Sequence, residues 1–192
     1  MRYKITLNRV FLLIKTLLYY KQCFGQIDYR TTIHSPLALN GKRNIYLGHI
    51  SIGYKSWLAA NPLTDAQECA LVILDGCTIG HFNHIYATGK IVIEKNVLTA
   101  DRVYISDNLH GYEDITKPIK EQRIKQNGQV VIGAGSWLGE NVCVLGASIG
   151  RNCVIGANSV VTHDIPDYCV AVGIPAKVIK KYDFINKKWI KI

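Results

Sequence analysis

His110 is the side chain best suited to move a proton at neutral pH. It lies in Val103-Tyr104-Ile105-Ser106-Asp107-Asn108-Leu109-His110-Gly111-Tyr112, where a regular pattern gives way to an irregular one. An imidazole has an unperturbed pKa of about 6.5, so it can accept and return a proton without a large shift. The same ring in a polar loop can equally be a solvated side chain. Asp107, Glu113 and Asp114 are near enough in sequence to orient it, and the sequence leaves open which one does. The cysteines Cys23, Cys69, Cys77, Cys143, Cys153 and Cys169 form no CxxC pair and no compact framework, which argues against both a zinc site and a disulfide scaffold. Reduced thiols in a cytosolic protein are the expectation, with Cys153 filling core rather than acting as a nucleophile.

The elements that would hold His110 are set by a repeat. An aliphatic or small residue followed by a small or polar one recurs with a period of six at Leu47, Ile52, Leu58, Ile73, Ile79, Ile85, Ile93, Thr99 and Ile105. It resumes at Ile132, Leu138, Val144, Ile149, Ile155 and Val161. Neither a helical period nor a hairpin alternation sustains that spacing, whereas short strands joined by tight turns do. Each hexad is then one side of a coil. Its aliphatic residue points inward, with Thr78, Ser136, Cys153 and Ser159 as smaller inward neighbours. Asn96, Asn141, Asn152 and Asn158 fall at corners, where positive φ is needed. Stacked coils leave open ends that need covering. The expected division is a helical cap over residues 1–30, a β-helix over 31–165 and a closing tail over 166–192. Two stretches break the rhythm, Ala60 to Ala70 and Asp107 to Gln129. The second is long and polar, as an extruded functional loop would be.

Composition narrows the partners. The chain has 192 residues, enough for one domain with a real core, and a formal charge of +9, which suits an anionic partner. No zinc finger, helix-turn-helix or aromatic RNA-binding motif accompanies that charge, so nucleic acid is set aside. The apolar run Val10 to Tyr20 is interrupted by Lys15 and is shorter than the roughly 20 residues of a spanning helix. No clear signal-peptide cleavage site follows it. A cytoplasmic protein is expected, with peripheral contact at the inner membrane face kept open by this run and by the basic tail Lys177, Lys180, Lys181, Lys187, Lys188 and Lys191.

The hexads, the His110 segment, the run Ile155 to Thr162 and the ending Val172-Gly173-Ile174-Pro175-Ala176-Lys177-Val178-Ile179 together resemble the hexapeptide-repeat acyltransferases. Within them, the galactoside and maltose acetyltransferases and the surface-polysaccharide O-acetyltransferases are the most similar subgroup. The resemblance spans about Ile45 to Lys180 and implies a mainly β fold, a left-handed parallel β-helix. It further implies a homotrimer whose sites lie between subunits, with acetyl-CoA as co-substrate and no metal. By the same resemblance His110 is the catalytic base, and a backbone N–H near Gly139 holds the oxyanion. Ala157 and Thr162 line the pantetheine arm, His163 stands at a cofactor position where relatives often carry lysine, and Lys177 and Lys180 meet the coenzyme phosphates. Asn83 falls on the acceptor-side asparagine, with His81 or His84 as alternatives. Glu140 stands where some relatives carry a serine, and Trp137 matches a groove aromatic or covers a coil exterior.

The expected reaction is acetyl transfer to a sugar hydroxyl in a bacterial surface polysaccharide or its precursor. The alternatives are a free sugar, a sugar-nucleotide amine or a xenobiotic as acceptor, and a β-helix scaffold without chemistry. The γ-type carbonic anhydrases share this coil but pair histidines five residues apart. Here that partner position is Ile115, and His81 and His84 are too close in sequence to replace it.

Overall fold

Hexads with one inward residue per side fold into a three-sided prism, and the computed structural model, which describes residues 7–192, has that architecture. The first six residues of the expected cap lie outside the described residues. The first face stacks Gln26–Ile27, Ile45–Leu47, Ala70–Ile73, Lys90–Ile93 and Val130–Ile132, and continues through bridges at Ile149 and Ile165. The second stacks Thr32–Ile33, Ser51–Ile52, Thr78–Ile79, Leu98–Thr99, Trp137–Leu138, Val154–Ile155 and Cys169–Gly173. The third stacks Ala38–Asn40, Trp57–Ala60, His84–Ala87, Tyr104–Ser106, Cys143–Leu145 and Val160–Val161. All pairings within these stacks are parallel, and the fold is the left-handed parallel β-helix that the resemblance implies.

Every hexad leader identified in the sequence, from Leu47 to Val161, is at most 1% exposed. They meet in register: Leu47, Ile73, Ile93 and Ile132 form one column, and Leu58, Ile85, Ile105 and Val144 another. Each such aliphatic contributes roughly 1.5–3 kcal/mol on leaving water. One inward assignment fails. Thr78 faces out, and Cys77, two places before Ile79, occupies the interior slot. Ser136, Cys153 and Ser159 are buried as expected. Asn96, Asn141, Asn152 and Asn158 adopt φ between 49° and 59°, the corner conformation that asparagine tolerates. All six cysteines are free, and burial pushes the Cys69 and Cys77 thiols up to about 11.

The ends are covered differently. At the start, a helix over Leu7–Lys15 passes through one π-helical turn, Thr16–Tyr20, into Lys21–Cys23. Tyr20 and Phe24 join the core, and the Thr16 hydroxyl donates to Thr31 O, tying the helix to the first coil. At the far end, Ala176–Asp183 and Lys188–Lys191 add two antiparallel strands to the second face. No helix among the described residues is long and apolar enough to cross a membrane.

Candidate active site

His110 leaves the prism where the third face ends. Ser106 closes a third-face strand, and the chain then projects as a hairpin in which Asn108–His110 pairs antiparallel with Ile124–Gln126. The hairpin is anchored at its root by Asp107, which is fully buried. Its carboxylate accepts from the backbone N–H groups of Thr88 (2.8 Å) and Gly89 (2.9 Å), the Thr88 hydroxyl and the Asn108 amide. Gln126 completes the anchor. Its amide nitrogen donates to Asp107 O and Gly128 O, while its amide oxygen accepts from the hydroxyls of Thr64 and Thr88. The two loops that interrupt the hexads are thereby tied to each other. Between them lies a cleft of about 610 Å³ lined by Ala66, Gln67, Glu68, Gly89, Lys90, Gln126, Gly128 and Gln129.

The imidazole of His110 is exposed and has no hydrogen-bond partner among the described residues. None of the three carboxylates considered from sequence orients it. Asp107 is committed to the hairpin root. Glu113 pairs with Lys125 at 2.5 Å, which holds its carboxyl below the usual range. Asp114 is held low by the Thr116 hydroxyl and backbone and by Lys117. Gln126 and Thr64 were not singled out individually because neither belongs to a motif; the two breaks in the rhythm, Ala60 to Ala70 and Asp107 to Gln129, were the signal that contains them.

The remaining sequence-derived residues separate into two corner columns. Thr162 and His163 follow the third-face strand Val160–Val161, at the same edge as the His110 hairpin. Both are exposed, with 3.0 Å between Thr162 Oγ1 and His163 Nδ1. Gly139 and Ala157 lie instead at the corner between second and third faces, stacked in successive coils. A Cβ on Gly139 would stand 2.7 Å from the Ala157 nitrogen, so only a glycine lets the two coils stack this closely. Lys177 and Lys180 sit above this corner on the added antiparallel strand, opposite Val172 and Val170. The second-face ladder runs Trp137, Val154, Val170, Lys180, which places the half-exposed Trp137 on the same exterior. From Gly139 to Gly146, the equivalent corner at the other edge, the chain crosses the whole third face. At about 3.3 Å per extended residue these seven steps span at most roughly 23 Å.

Two expectations need correction. The Gly139 N–H donates to Ile155 O at 2.8 Å as part of the coil ladder, so it is not available to an oxyanion. The N–H of Glu140, next along this exposed turn, has no acceptor among the described residues. Glu140 itself pairs with Arg102. Asn83 is 1% exposed and turned into the coil, its amide nitrogen donating to Ala100 O and His81 O. That placement keeps it from an acceptor. Its carbonyl oxygen, buried without a partner, is an unexplained feature of the interior. Of the alternatives, His81 accepts from the Tyr54 N–H, and His84 stacks on Trp57 at 4.2 Å with burial pushing its pKa down. No cluster of three or more potential metal ligands occurs among the described residues.

Residues 129–163 match the family described as the hexapeptide repeat of succinyl-transferase. WbbJ of Escherichia coli (strain K12), assigned provisionally as a lipopolysaccharide biosynthesis O-acetyl transferase, is 40% identical over 124 residues, covering 61% of this chain and 63% of WbbJ. Rv3034c of Mycobacterium tuberculosis, assigned provisionally as an acetyltransferase, is 42% identical over 135 residues, covering 70% of this chain and 45% of that protein. The chain thus spans less than two thirds of the length of either relative. Among solved structures, AntD, an N-acyltransferase from Bacillus cereus in complex with dTDP and 3-hydroxybutyryl-CoA, superposes with a TM-score of 0.70 at 18% identity. The match covers 84% of this chain and 85% of AntD. That likeness establishes a shared fold.

Proposed function

We propose that this hexapeptide-repeat protein transfers an acetyl group from acetyl-CoA to a saccharide hydroxyl, at sites built between copies of the chain. The observation that carries this reading is the separation of the two corner columns. The lysine-topped corner and the exposed imidazole lie on opposite edges of one face. In a cyclic assembly the leading edge of one copy meets the trailing edge of the next, and the half-sites face each other. A homotrimer suits a three-sided prism, and the similarity to WbbJ, named for lipopolysaccharide biosynthesis O-acetyl transfer, supports a saccharide acceptor.

In this reading the pantetheine arm lies along the Gly139–Ala157 corner, where small side chains leave room. Lys177 and Lys180 attract the coenzyme phosphates as point charges. Thr162 and His163 of the adjoining copy close the other side of the groove. His110 removes the proton of the acceptor hydroxyl as its oxygen attacks the thioester carbonyl. The Glu140 N–H donates to the oxyanion that forms, a contribution that grows as negative charge develops. Collapse of the tetrahedral intermediate breaks the carbon–sulfur bond, and the imidazolium returns its proton to the departing thiolate. The acceptor occupies the cleft between the two loops, whose amides, backbone groups and Glu68–Lys90 ion pair (2.7 Å) are suited to a neutral polyhydroxylated ring. A surface polysaccharide or its precursor is the substrate class this supports, with acetyl transfer to a sugar-nucleotide amine as the second reading.

The test is a panel of oligosaccharide and sugar-nucleotide acceptors incubated with acetyl-CoA, read by release of free thiol. Thiol release with a hydroxyl acceptor is the expected result, and release with amino sugars alone would move the assignment to N-acetylation. Coenzyme A that fails to bind would leave a scaffold, and equal binding by the Lys177→Ala, Lys180→Ala double variant would remove the two lysines from the coenzyme site.

A further inference from the structure

The N-terminal helix carries two apolar stripes, and the fold uses one. Leu12, Thr16 and Tyr20, spaced by four, are buried against the first coil. Leu7, Val10, Phe11, Ile14, Leu17 and Leu18 recur at intervals of three and four on the other side, and all are exposed: Leu7 to 90%, Phe11 to 64% and Leu18 to 65%. An amphipathic helix that caps a domain ordinarily turns polar residues outward. Here the outward side is the more apolar of the two, and a contiguous patch of this kind marks an interaction surface.

Charge selects the partner. The first 27 residues contain Arg2, Lys4, Arg9, Lys15 and Lys21 and no Asp or Glu; the first carboxylate is Asp28, which is paired with Arg30. Lys42, from the next coil, places its ammonium 5.9 Å from the ring centre of the exposed Tyr19, beside the end of the stripe. A second copy of this helix would bring like charges together, which disfavours self-pairing. An anionic surface satisfies both features, since apolar side chains enter the headgroup boundary while lysine and arginine remain at the phosphate level.

We propose that the outward side of Leu7–Tyr20 docks the protein on an anionic lipid bilayer, lying in the interface without crossing it. The proposal does not depend on His110 or on the acceptor. It gives a cause for the apolar stripe, and it would place the chain beside lipid-linked saccharides.

The test is flotation of the full chain with vesicles of phosphatidylcholine alone and of phosphatidylcholine with phosphatidylglycerol. The expected result is binding to the anionic vesicles at least about tenfold tighter than to neutral ones, weakened by salt. Phe11→Gln, Ile14→Gln and Leu18→Gln together should reduce that binding by about tenfold or more, with an unchanged melting temperature because these side chains contact no core. Equal binding by the triple variant, or no binding by the native chain, would overturn the proposal. So would a fall in oligomer mass caused by the triple variant, which would show that a second copy covers the stripe.

Discussion

An imidazole with no partner in its own chain must be oriented by whatever meets it in the assembled site. His110 is in that position, since Asp107, Glu113 and Asp114 all hold other groups. Its proposed role as base rests on residue type, on its place at the end of the hexads and on the resemblance; the absence of an orienting carboxylate was not legible, because which acid bonds to which group is decided across coils. The corner asparagines show the opposite case. Positive φ is a local demand, so Asn141 and Asn158 could be assigned from sequence, whereas Thr78 and Cys77, adjacent and both small, could not be told apart. Changing His110 to Ala should lower kcat by roughly 100-fold or more while coenzyme A affinity changes by less than about threefold, as expected for loss of a general base. Thiol-release kinetics with calorimetric coenzyme A binding measure both, and undiminished turnover would remove the imidazole from the mechanism.

At the scale of elements, the coil was legible and the hairpin was not. Hexad leaders are readable because each side of the prism admits one inward aliphatic residue. Ile27, Ile33 and Leu39, themselves six apart, pair with Leu47, Ile52 and Leu58 and form an earlier coil that starts directly after the helix. The aperiodic loop could be read only as irregular, since the pairing of Asn108–His110 with Ile124–Gln126 depends on the bonds made by Asp107 and Gln126 rather than on any pattern. Those bonds make a specific demand. Asp107→Ala leaves the buried N–H groups of Thr88 and Gly89 unpaired, at about 1–3 kcal/mol for each. The variant should melt at lower temperature, and kcat should fall as the hairpin loses its root. Asp107→Asn, which restores part of the acceptor capacity, should lie between. Melting by circular dichroism alongside thiol release checks the ordering; an Ala variant as stable as the native protein would show that the root bonds contribute nothing.

For the whole molecule, the sequence shows a repeat and therefore a prism, but it does not show which edge each residue occupies. Gly139, Ala157, Lys177 and Lys180 fall at one edge of the third face and His110, Thr162 and His163 at the other, an arrangement that the proposed function makes into a site between copies. This is tested by co-expressing two differently tagged variants, His110→Ala and the Lys177→Glu, Lys180→Glu pair, and purifying the mixed assemblies through both tags. In a cyclic trimer that carries both tags, about one site in three combines a native imidazole with a native lysine corner. Thiol release should therefore return to about a third of the native rate, where each variant alone is nearly inactive. Mixed assemblies no more active than the variants separately would contradict the composite site.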